Sequence, residues 1–166
     1  MDDPQVVLAI LAQAVRELLE DKELAYSNPG ERAVVNRLGQ LLQGRYEGWR
    51  LDIEWDRRED KIKKLPHSLD DDTLVALGAI VPDLIVHRVG KRENLLVVEV
   101  KRSINRDFEG DIWKLRGMTQ QQGDYGYLVG VHLVIDCQAR ALERCDVFTD
   151  GETDPDLSDF LRAQFQ

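Results

Sequence analysis

The stretch from Val81 to Arg102, VPDLIVHRVGKRENLLVVEVKR, decides how this chain folds. Two apolar runs flank Gly90-Lys91-Arg92, so it reads as a β-hairpin with Asp83 on the first strand and Glu99 and Lys101 on the second. Side chains alternate faces along a strand. Asp83, Ile85 and His87 therefore share one face, as do Leu95, Val97, Glu99 and Lys101. With Lys91 at the centre of a three-residue loop, Val89 stands opposite Glu93, and Asp83 opposite Glu99. Directly opposed residues have Cβ atoms about 4.5–5.5 Å apart, close enough for two carboxylates to hold one ion.

Like charges placed opposite each other destabilise a hairpin. A bound Mg²⁺ removes that conflict, because a hard divalent cation turns the repulsion into coordination. Leu84, Val86, Leu96, Val98 and Val100 mark the other face as buried, so the acids interrupt a core hairpin and are costly unless paired or metal-bound. The plainer alternative is a surface hairpin with a Glu99–Lys101 ion pair at its open end.

Pro82-Asp83 followed by Glu99-Val100-Lys101 on the next strand resembles the signature of the PD-(D/E)XK nuclease superfamily, whose fold is restriction-endonuclease-like. The resemblance implies that Asp83 and Glu99 bind the metal, joined by the main-chain carbonyl of Val100. It gives Lys101 the task of orienting or polarising the attacking water. Its core order is a helix, three antiparallel strands, a helix and a further strand, which can be laid onto roughly 28–135, although the specific motif is only 82–101. The superfamily is diverse in substrate.

A length of 166 residues suits one domain with one core. The longest apolar run, around Tyr127 to Ile135, is too short to span a bilayer. The acidic start MDDPQ lacks the basic region of a secretory signal. Cys137 and Cys145 fit no zinc spacing and read as buried or free thiols of a reducing compartment, so a cytoplasmic location is expected. The net charge of −9 opposes nucleic-acid binding, which draws on cations that neutralise phosphates. Local asymmetry softens this. The run Arg57 to Lys64 is net +3 (five basic, two acidic), and Lys91, Arg92, Lys101, Arg102 and Arg106 are expected around the site. Acid concentrates in Asp70-Asp71-Asp72 and in the segment from Glu143 onward.

Apolar spacing predicts a first helix over 4–21 and a second opening at Asn28, with Pro29 at its first position and Val34, Val35, Leu38, Leu41 and Leu42 inward. Asn28 and Glu31 have the spacing of a capping box. The resemblance gives Glu31 a further role, since a glutamate on the helix before the first core strand often reaches the metal or its water. Trp49 to Asp56 alternates as the first core strand, with Leu51, Ile53 and Trp55 on one face. Arg57 to Ile80 fits either an extended hairpin tip or a loop over the site. A helix is predicted over 107–122, with Phe108, Ile112, Leu115 and Met118 or Thr119 inward, and a strand over 125–135. Residues 139–148 suit a further strand or a helix-to-strand passage, and 155–165 a last helix. Lys114 and Asp111 have the spacing of a surface ion pair, with a phosphate contact as the alternative for Lys114. Gln121 and Tyr125 match a Q-x-x-x-Y spacing of some superfamily members. His67, His87 and His132 are isolated, and His87 suits packing better than ligation.

The fold expected is thus α/β, a single domain over 1–166 with a central mixed β-sheet flanked by helices and a restriction-endonuclease-like core. The N-terminal helix and the segment 139–166 are additions to that core. The function expected is a Mg²⁺-dependent nuclease, with Mn²⁺ as substitute metal, hydrolysing phosphodiester bonds of DNA through Asp83, Glu99, Lys101 and Glu31. The alternative is a catalytically silent module of the same fold that binds nucleic acid or a protein partner within a larger assembly. The apolar stripes of the first and last helices suggest a homodimer, and no membrane partner is expected.

Overall fold

The computed structural model describes residues 3–54 and 81–166, together with the backbone of 57–58 and 61–62. Helix α1 (Pro4–Glu20) starts where the Asp3 carboxylate accepts a bond from the Gln5 amide, with Pro4 inside the first turn. Its apolar stripe of Val7, Leu8, Leu11, Val15 and Leu18 is fully covered. A short α2 (Lys22–Ser27) leads to α3 (Glu31–Leu42). Here the expected capping box is not formed. Asn28 adopts the left-handed conformation (φ 44°, ψ 58°) as the C-cap of α2, and α3 starts behind Gly30 without a side-chain cap. Asn28 suits that conformation because its short polar side chain tolerates it. Glu31 is thereby free to point toward the sheet.

The strands are β1 (Arg50–Ile53), the short β2 (Arg57–Arg58) and β3 (Lys61–Ile62), β4 (Leu84–Arg88), β5 (Glu93–Arg102), β6 (Val129–Asp136), β7 (Ala141–Thr149) and β8 (Glu152–Thr153). Among the described residues, six of them form one mixed sheet in the order β1-β4-β5-β6-β7-β8. Only β5 and β6 run parallel, and the crossover between them carries α4 (Glu109–Thr119). A last helix, α5 (Pro155–Ala163), packs on β7. The chain is therefore an α/β protein with one mixed sheet between helices. Its order from α3 through three antiparallel strands, α4 and β6 is the one expected from the sequence. β2 and β3 pair with each other, as a hairpin tip would. Trp55, His67, the three aspartates at 70–72 and the side chains of the basic run at 57–64 lie outside the described residues.

Alternation along the strands builds two apolar layers. Leu84, Val86, Leu96, Val98 and Val100 join Val129, Val131, Leu133 and Ile135 against α1, α3 and α5. Ile85 and Val97 pack on the other side with Leu115, Met118, Tyr125, Tyr127 and Phe148. The hairpin register agrees with the expected one near the site: Leu84 pairs Val98, Ile85 pairs Val97 and Val86 pairs Leu96. Beyond Val86 it shifts by one, so His87 pairs Asn94 and Arg88 pairs Glu93. This bulge leaves Leu95 without an opposed residue, and Leu95 packs in the larger layer rather than with Val97. The apolar stripe of α1 is buried inside the chain, and Leu157, Phe160 and Phe165 pack on the same core as Leu161.

Candidate metal-dependent active site

Asp83 lies one residue before β4, where continuing the Leu84–Val98 register sets it opposite Glu99. Its Oδ2 accepts a 2.8 Å hydrogen bond from the Val100 amide. Buried Glu99 sits mid-strand on the α4 side, with its Oε1 lacking any partner among the described residues. Lys101 follows two residues on, near the end of β5. Its Nζ lies 3.5 Å from Glu31 Oε1 and 3.1 Å from Asp111 Oδ2. Glu31, in the first turn of α3, also accepts a 3.4 Å bond from the Arg102 amide. Arg102 in turn donates to Asn28 Oδ1 at 2.5 Å, which ties the loop before α3 to the strand end. All four expected residues thus converge. The surface-pair reading fails, because Lys101 contacts other acids and Glu99 is only 1% exposed.

Three further residues complete the cluster. Asp111, in the first turn of α4, is buried and holds Lys101 on one oxygen and Lys114, 3.2 Å away, on the other. Lys114 also reaches Glu99 Oε2 at 2.6 Å. His132 on β6 is fully buried, stands beside Glu99 in the parallel register and places Nε2 3.8 Å from Asp111 Oδ2. Its ring meets Phe108 edge-on with centroids 5.0 Å apart. The sequence reading put Lys114 and Asp111 on the surface. What it missed is that both lie on the face of α4 laid over β5, in the line of Val97 and Glu99. The i, i+3 spacing of an acid and a lysine carries no sign of which face they occupy.

Burial costs a charged carboxylate, and the effect is visible here. It pushes Asp83 up to about 6, helped by Asp111 and Glu31 and opposed by the Val100 amide and Lys114. Burial and the Asp83 charge push Glu99 well above its ordinary value, with Lys114 pulling the other way. Burial also opposes the charges of Lys101 and Lys114. The acids outweigh it, Asp111 and Glu31 for Lys101, and Glu99 and Asp111 for Lys114, so both amines are raised. For Asp111, burial is overcome by His132 and the two ammonium groups, and its carboxyl is held below the usual range.

Other expected positions fall elsewhere. Lys91 and Arg92 belong to the hairpin turn before β5, roughly 30 Å from Lys101 at the usual strand rise. Arg92 is bound there to the carbonyls of Gln121 and Gly123. Arg106 lies 3.7 Å from Glu143. His87 is hydrogen-bonded to Asp52 through Nε2 at 2.7 Å, so it is anchored by a polar contact as well as packed. Gln121 braces the loop before β6 by donating to the carbonyls of Thr119 and Tyr127, and Tyr125 is a core residue. The cysteines are buried and unpaired. No described helix is long and apolar enough to cross a membrane.

Two acids bearing raised proton affinity, an orphaned Glu99 Oε1 and an adjacent main-chain carbonyl at Val100 fit a divalent cation as a minimal set. No group of three His, Cys, Asp or Glu suited to a metal ion occurs among the described residues. Against known proteins, the chain matches no family model and no curated protein.

Proposed function

We propose that the protein is a Mg²⁺-dependent nuclease that hydrolyses phosphodiester bonds of DNA, on the pattern of the PD-(D/E)XK superfamily that its hairpin resembles. One observation carries the reading. Asp83 and Glu99 meet at the open end of the β4–β5 hairpin, with Lys101 and Glu31 directly beyond them. Nothing in the packing of the sheet calls for four ionisable groups there, and burying them is expensive.

Asp83, Glu99 and the Val100 carbonyl would hold the metal, with Mn²⁺ as substitute and Glu31 reaching its water. The ion supplies a lowered pKa for bound water and a counter-charge for phosphate oxygens. Lys101, kept charged by Asp111 and Glu31, holds an ammonium where the attacking water and the developing oxyanion need a donor. Asp111 fixes the direction of that ammonium. His132 is fully buried beside Asp111, and half-buried Phe108 packs edge-on against its ring.

The silent-module alternative has its own observation, the Lys114 ammonium already seated on Glu99. The test is direct. Purified protein with Mg²⁺ or Mn²⁺ should cleave plasmid or single-stranded DNA, and Lys101→Ala should abolish cleavage. Absence of cleavage on DNA and RNA, or full cleavage by the variant, favours the binding module. The two buried unpaired cysteines accord with a cytoplasmic location, which we propose with nucleic acid as partner.

A further inference from the structure

Lys114 occupies an unusual place for a lysine. Its Nζ is 2.6 Å from Oε2 of Glu99, a side chain that is 1% exposed, while Lys114 itself retains 21% exposure. A second acid, Asp111, holds the same ammonium at 3.2 Å from the preceding helical turn. The long aliphatic stem lets such a group swing outward with little rearrangement of α4. Glu99, on a central strand bonded on both sides, cannot follow it. A buried carboxylate needs a cation, and the one it has is tethered flexibly.

We propose that Lys114 is the resident counter-cation of Glu99, which holds the metal-binding carboxylate in place and yields that oxygen when a divalent ion binds. This rests on the metal reading above. Lys101 cannot serve, being held by Glu31 and Asp111 instead. After displacement Lys114 keeps Asp111 as anchor, so its charge stays beside the site.

Two measurements test the proposal. Titration calorimetry with MnCl₂ compares the full chain with Lys114→Met. Removing a cation that competes for Glu99 should tighten Mn²⁺ binding by about tenfold or more. The second uses wild-type protein alone, so it does not depend on the variant folding. Reductive methylation read residue by residue should label Lys114 slowly in EDTA and distinctly faster with Mg²⁺, while Lys101 changes less. If wild type binds Mn²⁺ but the variant binds it equally or more weakly, or if Mg²⁺ leaves Lys114 labelling unchanged, the counter-cation role is wrong and the metal reading survives. If neither protein binds Mn²⁺, both fall. Binding by the variant alone would support the role in its strongest form.

Discussion

Asp111 binds Lys101 at 3.1 Å through one carboxylate oxygen and, through the other, the lysine one turn further along its own helix. A single acid on α4 thus sets the positions of two cations, one directed at Glu31 and one at Glu99. Replacing it removes the anchor that both ammonium groups share.

The first prediction follows from that link. Asp111→Ala should destabilise the protein by roughly 3 kcal/mol, because it strips a shared partner from two partly buried ammonium groups. Asp111→Asn should retain most of the stability yet lower cleavage, with the alkaline limb of the pH–rate profile moved to lower pH as Lys101 loses its supporting charge. Urea unfolding and a pH–rate series separate the two effects. An unmoved alkaline limb in a folded Asn variant would rule out a positioning role.

Lys101→Met offers a cleaner cut between binding and chemistry. Cleavage should drop by about 100-fold or more, the scale of losing one charge-stabilising donor. Affinity for Mn²⁺, read by calorimetry, should not weaken, since Lys101 contributes no ligand atom. Loss of metal binding in this variant would mean that the lysine organises the acids instead.

Asp83 makes stability depend on pH in a direction opposite to an ordinary salt-bridged acid. Its carboxyl is raised from 3.8 to about 6, first of all by burial. Between those values the folded chain binds more protons than the unfolded one, so this group's stabilising share is present at low pH and is lost as pH rises through about 6. Asp111, held low, works the other way and at lower pH. In EDTA, Asp83→Asn should therefore be more stable than wild type at neutral pH, on the order of 2 kcal/mol. The advantage should shrink toward pH 4 and be reversed by Mg²⁺, which stabilises only the wild type. Parallel unfolding curves across that range would contradict it.

The sheet and its hairpin were legible because period-two alternation around Val81–Arg102 is nearly unbroken, and a short turn leaves little freedom in register. The bulge at Leu95 was not legible, since a one-residue slip leaves the composition of the strand unchanged. The start of α3 misled for a related reason. Asn28-Pro29-Gly30-Glu31 satisfies the rules for a capped helix, but the preceding residues form α2 and claim Asn28 as its end. Asp83, Glu99 and Lys101 could be found because one hairpin brings them together, whereas Glu31 meets Lys101 from far along the chain and was reached only through the family resemblance. Asp111, Lys114 and His132 reach the same place only through the crossover that stacks α4 on β5 and β6. No spacing along the chain encodes that contact.

Gly130 supplies the last test, of how α4 is held in that position. A Cβ built there would come within 2.8 Å of Thr119 Cγ2, 3.2 Å of Leu115 Cδ2 and 3.4 Å of Val97 Cγ1. Thr119 has little room to yield, because its hydroxyl donates to the Leu115 carbonyl and accepts from the Gly151 amide. Gly130→Ala should therefore push α4 from the sheet and cost about 1–3 kcal/mol, the usual range for overpacking. The displacement acts on the helix that carries Asp111 and Lys114, so cleavage should fall although Gly130 touches no ionisable group of the site. Thermal unfolding and the cleavage assay read the two consequences on one sample. A variant as stable as wild type would show that α4 has slack against β6. A variant destabilised but fully active would show that the lysines do not need the helix held so closely.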